Sequence, residues 1–435
     1  MADHRDRIAG ILVWCAVLVP ALVALRFVLR YAVNLPYADQ WDFVAFFVVQ
    51  DAGQLRWSDI WALHNEHRMV VPKLLMLGMA RLTRWNVFVE TLLSVALAFA
   101  SLLLLLAMAR PALREAHPWA RLWAVAMLSL LVFSLSQVGN WLWGWQIQWF
   151  LSVLAAIVAI ALATAGLQSA SASRYVIGAG VAALVCQYSL ASGAVVWALV
   201  AAILAFHRRR GPILAVWAVA AVAATVPYAI GFERPADLPS PLAVLGQPLA
   251  LAIYVGKYLS GPLGRHTAIG MGAVAVFFVL IAAAARRHRD RPALVLPWVM
   301  LGLFAMANAV LTGLGRVGTG VDQALTTRYV TIALLLPVAL VPLAFLALRD
   351  AGRSWRLAGG AGAMLLTLAV VAADIRSVPE IEEFSRRMKA GRDCVRMIET
   401  APDSCLNLLH PNADVVRRAA PELRRLRLSL FADDG

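Results

Sequence analysis

Long, nearly uncharged apolar runs recur from residue 8 to residue 373 of this 435-residue chain, and runs of that kind fold in few ways. A helix needs about 20 apolar residues to cross about 30 Å of hydrocarbon. In lipid every backbone N–H and C=O must be satisfied internally, which leaves helices or closed barrels. These runs are too long and too uniformly apolar for tilted barrel strands, so the chain reads as an all-α polytopic membrane protein. Composition agrees: 61% of residues are hydrophobic and 15% charged, against about 45–50% and 25% in soluble domains. Soluble, collagen-like and disordered classes are excluded together.

Polar breaks divide the runs into about eleven transmembrane helices, near 8–30, 87–109, 121–138, 146–167, 175–190, 193–207, 212–231, 267–285, 293–311, 329–348 and 356–373. The first is longer than a signal-peptide core and lacks a convincing small-residue cleavage site, so it is expected to remain as a span. Arg5, Arg7, Arg110, Arg114, Arg121, Arg174, Arg208 to Arg210, Arg286, Arg287, Arg289, Arg291, Arg349, Arg353 and Arg356 all fall on one side of this map. By the positive-inside rule that side is cytoplasmic. The opposite breaks carry only Arg234, Lys257, Arg265, Arg316 and Arg328. The formal charge of +14 is thus mostly a topology signal and not a nucleic-acid footprint.

This reading gives a transmembrane domain over 1–373 with a long first extracytoplasmic loop, 34–86, and a small extracytoplasmic helical tail, 374–435. The expected setting is a bacterial inner membrane, with the N-terminus cytoplasmic. Cys15 and Cys186 lie in apolar runs and are expected to be inert core thiols. Cys394 and Cys405 lie in the tail, where an oxidising compartment would favour a disulfide. Two amphipathic helices, about 380–399 and 413–428, are expected there as a lid or docking element.

Charge near a membrane is costly, so polar clusters there are candidates for function. The richest is the first loop. Asn34-Leu-Pro-Tyr37-Ala-Asp39-Gln-Trp41-Asp42 is followed by His64-Asn-Glu66-His67-Arg68. On one helical turn Asp39 and Asp42 share a face, where either can accept a proton from a hydroxyl or join a divalent cation through hard oxygen ligands. The alternative is that Asp39 caps the helix that follows. Tyr37 and Trp41 offer faces on which pyranose rings stack. His64 and His67 do not match the H-E-x-x-H spacing of metalloproteases, which leaves a polar helix start, or acceptor and phosphate binding with Arg68 as the planar, always-charged partner.

Later outer breaks add cations. Gly313-Leu-Gly-Arg316-Val-Gly-Thr-Gly320 precedes Asp322 and Thr327-Arg328-Tyr329, and glycine-rich backbone with arginines suits an anion, although an ordinary helix-end turn accounts for it equally. It lacks the Gly-Lys-Ser/Thr ending of a Walker loop. Lys257 is a weaker candidate of the same kind. Four tryptophans between Asn140 and Trp149 read first as an interfacial aromatic belt, with a sugar-stacking wall as the alternative.

The layout resembles the GT-C superfamily of integral-membrane glycosyltransferases. The likeness rests on the many spans, the Asp39-x-x-Asp42 element soon after the first, the His64–Arg68 loop before the second and the outer tail. That class commonly shows Asp-x-Asp or adjacent acids, whereas here the spacing is three. The resemblance implies a polyprenyl-phosphate sugar donor, a glycan, lipid or protein acceptor, and transfer with inversion. It implies catalytic roles for Asp39 and Asp42, with Mg or Mn as the divalent cation if either aspartate holds one. Tyr37, Trp41, His64, Glu66, His67, Arg68, Lys257, Arg316, Arg328 and Tyr329 would bind substrate. A lipid-linked glycan polymerase, ligase or flippase would share the spans and outer arginines without needing the acidic pair, and a transport or assembly protein would tolerate its loss. A secondary transporter would place charges at mid-membrane, and the spans expected here hold almost none, Arg26 and Glu90 lying near ends.

Overall fold

The computed structural model describes residues 2–167, 169, 171–207, 210–232 and 244–433; Arg208, Arg209 and Arg234, used above for orientation, lie outside them. Among the described residues the fold is helical throughout, apart from an isolated bridge between His64 and His67. Nine helices are long and apolar enough to cross a membrane: Gly10–Tyr31, Val87–Leu113, Pro118–Leu142, Gly144–Gly166, Gly211–Ala229, Thr267–Arg287, Leu296–Thr319, Thr327–Leu348 and Arg353–Arg396. The other two expected spans are the shorter apolar helices Ala172–Gln187 and Ala191–Leu204. The Tyr188–Gly193 turn between them takes up length that the apolar run had suggested was span. Its Gly193 admits no side chain, because a Cβ there would lie 2.3 Å from the Cys186 carbonyl oxygen.

Helix boundaries follow local chemistry. The Asn86 side chain accepts from the Phe88 N–H at 3.1 Å and starts Val87–Leu113, while Pro118 supplies the preset φ of a first helical residue. The helix within Thr327–Leu348 is the bundle's centre, 83% of its apolar window being buried. By contrast Gly211–Ala229 and Arg353–Arg396 bury only 11% each. Their exposed Val219, Val222, Leu365 and Leu368 face outward, as lipid-facing residues do. Cys15 is exposed on the first helix and not in the core, whereas Cys186 is buried.

A second hydrophobic core lies apart from the bundle. It joins Leu35, Trp41, Phe43, Val44 and Phe47 of the first loop to Val395, Leu406, Leu409, Val416, Leu423 and Phe431 of the tail. The loop and tail therefore share one core. A single helix, Arg353–Arg396, runs through residue 373 from the bundle into this unit and absorbs the helix expected near 380–399. The second amphipathic helix is Ala413–Arg425, opened by the Asn412 side chain accepting from the Asp414 N–H at 3.0 Å. Arg425 pairs with Asp51 at 2.8 Å. Cys394 and Cys405 are disulfide-bonded, with Cα atoms 6.1 Å apart.

Candidate functional site

The site begins at the helix Asp39–Asp51, which places both aspartates in its first turn, where the helix dipole favours negative charge. Its N-cap is Ala38, held at φ 46° and without a side-chain cap, so Asp39 does not cap it. Ala38 N–H donates to the Leu409 carbonyl of the tail at 2.7 Å. From below, buried Gln40 donates through Nε2 to Glu90 Oε2 at 2.8 Å, and Trp85 Nε1 donates to Glu90 Oε1 at 3.0 Å. Glu90 is therefore an anchor for the loop helix. Gly144 is needed against it, since a Cβ there would lie 2.3 Å from Glu90 Oε2.

A tight turn carries the second half. His64 and His67 exchange backbone hydrogen bonds of 2.8 and 3.0 Å, with Asn65 at φ 52° between them. His64 Nε2 lies 3.2 Å from Asp39 Oδ2, and its ring meets the buried Trp145 edge-on at 4.9 Å. Burial alone would raise the Asp39 pKa, but the His64 imidazole beside it and the charges of Arg328 and His410 outweigh that and hold the carboxyl below its ordinary range. Asp39 is thus ionised at neutral pH and still 35% exposed.

Glu66 pairs with Arg316 and faces His67 Nε2 at 3.7 Å. Burial pushes the His67 pKa down to about 4; Glu66 opposes this, while Arg316, His64 and Arg328 add to it. Its Nδ1 accepts from the Ala191 N–H at 3.3 Å, which puts the remaining ring proton on Nε2, toward Glu66. Burial likewise works against the Glu66 charge, but His67 and Arg316 outweigh it and lower the pKa. With His67 neutral, Arg316 supplies that effect at physiological pH.

Arg68 is buried, and its guanidinium is spent on main-chain carbonyls. It donates to Tyr228 O and Trp61 O, each at 2.8 Å, and to Ile230 O, and it lies over the Trp61 ring. It clamps the loop to a span and is not a free phosphate partner. Lys257 pairs with Asp322. Arg316 ends its helix, a single 3-10 turn, Val317–Thr319, follows it, and Gly320 takes φ 104° before the next 3-10 turn, Val321–Leu325. Tyr329 stacks on buried Tyr258 at 5.2 Å and is fixed through its hydroxyl by Gln323 Nε2 at 2.7 Å.

The tryptophan segment is internal. Trp141, Trp145 and Trp149 are buried, so they do not form the lipid-facing belt expected from sequence. Trp143 instead meets Tyr37 edge-on at 5.2 Å. Buried polar atoms in this region lack a protein partner: Trp143 Nε1, Gln146 Oε1, Gln148 Oε1, Glu66 Oε2 and Arg328 Nε. Such groups are satisfied by water or by a polyhydroxylic or anionic ligand.

Sequence reasoning missed His410, whose Nε2 lies 3.5 Å from Asp42 Oδ2; the signal available was that it is the tail's single histidine. Asp39 and Asp42 therefore face different histidines. Among the described residues no group of three or more His, Cys, Asp and Glu side chains is placed to hold a metal ion.

No family model, curated protein or solved structure matches the chain.

Proposed function

We propose that this is a membrane glycosyltransferase that moves a sugar from a polyprenyl-phosphate-linked donor to an acceptor hydroxyl on the extracytoplasmic side, with inversion. The observation that carries the reading is Asp39: an ionised, partly exposed carboxylate beside His64, whose ring meets Trp145, and within the field of Arg328. The resemblance in layout to GT-C enzymes supplies the donor class.

In the reaction the acceptor oxygen attacks the anomeric carbon as its proton passes to Asp39. The bond from that carbon to the phosphate oxygen breaks, and the electron pair leaves with the lipid phosphate. A carboxylate of lowered pKa is a weak base, suited to accepting the proton late, when the attacking oxygen has become acidic. The leaving phosphate needs charge stabilisation more than a proton. Arg328 is the better partner for it, because its Nε has no protein acceptor whereas Arg316 is engaged by Glu66. Asp42, opposite His410, orients the acceptor.

The test is sugar transfer from a polyprenyl-phosphate donor in membranes carrying Asp39→Asn. A base contributes about 10²–10⁴-fold, and a loss of that order is expected, with a smaller one in Asp42→Asn. Full activity in Asp39→Asn would remove the assignment.

A further inference from the structure

At the end of the bundle opposite the carboxylates, a cavity of about 700 Å³ gathers Arg110, Arg114, Arg121, Arg291 and Arg349. Its one acidic lining residue is Glu115, paired with Arg349. A neighbouring cavity of about 410 Å³ shares Arg291 and Arg349 and adds Arg287 and His288, with Asp290 and Asp350. The arginines come from three separate inter-helix breaks. Orientation alone requires basic residues near the membrane surface; it does not require them to converge on one concavity, where Arg349 pairs with Glu115 and Arg121 donates to the Arg114 and Ala116 carbonyls.

The opposite wall is apolar: Val13, Trp14 and Val17 of the first helix with Leu103 and Leu106 of the second span. Trp14 is 59% and Leu103 46% exposed, and the apolar windows of these two helices are only 22% and 33% buried. The cavity is therefore open sideways, where hydrocarbon lies, and cationic at the level of the headgroups. We infer that it is a binding site for an anionic glycerophospholipid, the phosphate seated among the arginines and an acyl chain along Trp14 and Leu103. A soluble phosphate matches the arginines and has no use for the apolar wall. The site is independent of the proposed transfer reaction.

Native mass spectrometry of the detergent-purified full chain, with phosphatidylglycerol or phosphatidylcholine added, tests the inference. Retention of phosphatidylglycerol in clear preference to phosphatidylcholine is expected, and equal retention overturns the site. In Arg110→Gln/Arg291→Gln the preference should fall roughly thirtyfold, as expected for two cations beside a phosphate, whereas Arg353→Gln/Arg356→Gln, outside the cavity, should keep it. A preference unchanged in the first pair refutes the placement. Inorganic phosphate at millimolar concentration should not displace the lipid; if it does, the site serves free anions. Thermal shift of the unmutated protein with each lipid gives a readout that does not depend on variants folding: phosphatidylglycerol should raise Tm more than phosphatidylcholine, and equal shifts count against the site.

Discussion

At the residue scale the loop hangs on a few buried polar groups. Glu90→Ala leaves Gln40 and Trp85 without their acceptor in a dry setting, and a loss of about 2–4 kcal/mol is expected, seen as a lowered Tm in detergent. Gly144→Ala should destabilise by displacing the same carboxylate. His67 makes stability depend on pH. Its folded pKa of about 4 lies below its ordinary 6.5, so in that interval the unfolded chain takes up the proton first and stability falls as pH drops. The full effect is up to ~3 kcal/mol, and His67→Asn, whose Oδ1 can still accept from Ala191 N–H, should flatten the Tm profile between those pH values. The sequence made Asp39, Glu66 and Arg316 visible as rare charges at the membrane edge. It did not reveal that Arg68 is consumed by carbonyls, because nothing in a one-letter string tells a buried arginine from an open one. His410 was invisible for the same reason: its partner Asp42 is brought to it only by tertiary packing.

At the element scale, apolar run length located the helices well because lipid thickness sets it directly. It failed only in length at Ala172–Gln187 and Ala191–Leu204, apolar helices that lie where the runs place them, either side of the Ser189–Gly193 turn, but are shorter than the long spans. At 373, where the composition changes, the helix continues to Arg396. Its end is tied by the Cys394–Cys405 disulfide, from which the chain passes through Leu409 to His410. Arg387 Nε donates to the Leu408 carbonyl at 2.6 Å and braces the same turn. Closing a short loop limits the unfolded chain, and Cys405→Ser should cost about 2–3 kcal/mol. It should also loosen the contact of His410 with Asp42. Proteolysis near residue 410 in oxidised and reduced protein measures this, and faster cutting after reduction is the expected outcome.

At the scale of the whole molecule, the described residues hold nine helices long and apolar enough to cross a membrane and one pair of shorter ones, and parity is unchanged whether or not the pair crosses. The two termini are then expected on opposite faces. A reporter active only outside the cytoplasm should work when fused after the tail and fail when fused before the first helix. Activity at both ends would contradict the map. The shared core of loop and tail has a consequence for biosynthesis. Arg425 meets Asp51 across a separation of 374 residues, and Trp41, Phe43 and Phe47, although Phe43 also meets Trp145 and Phe47 meets Trp85, complete their core only with Val416, Leu423 and Phe431. The loop is thus made long before the tail that completes its core. It is the stretch on which a chaperone would act, and a ribosome stalled before the tail would leave a greasy, protease-sensitive loop on an otherwise inserted bundle.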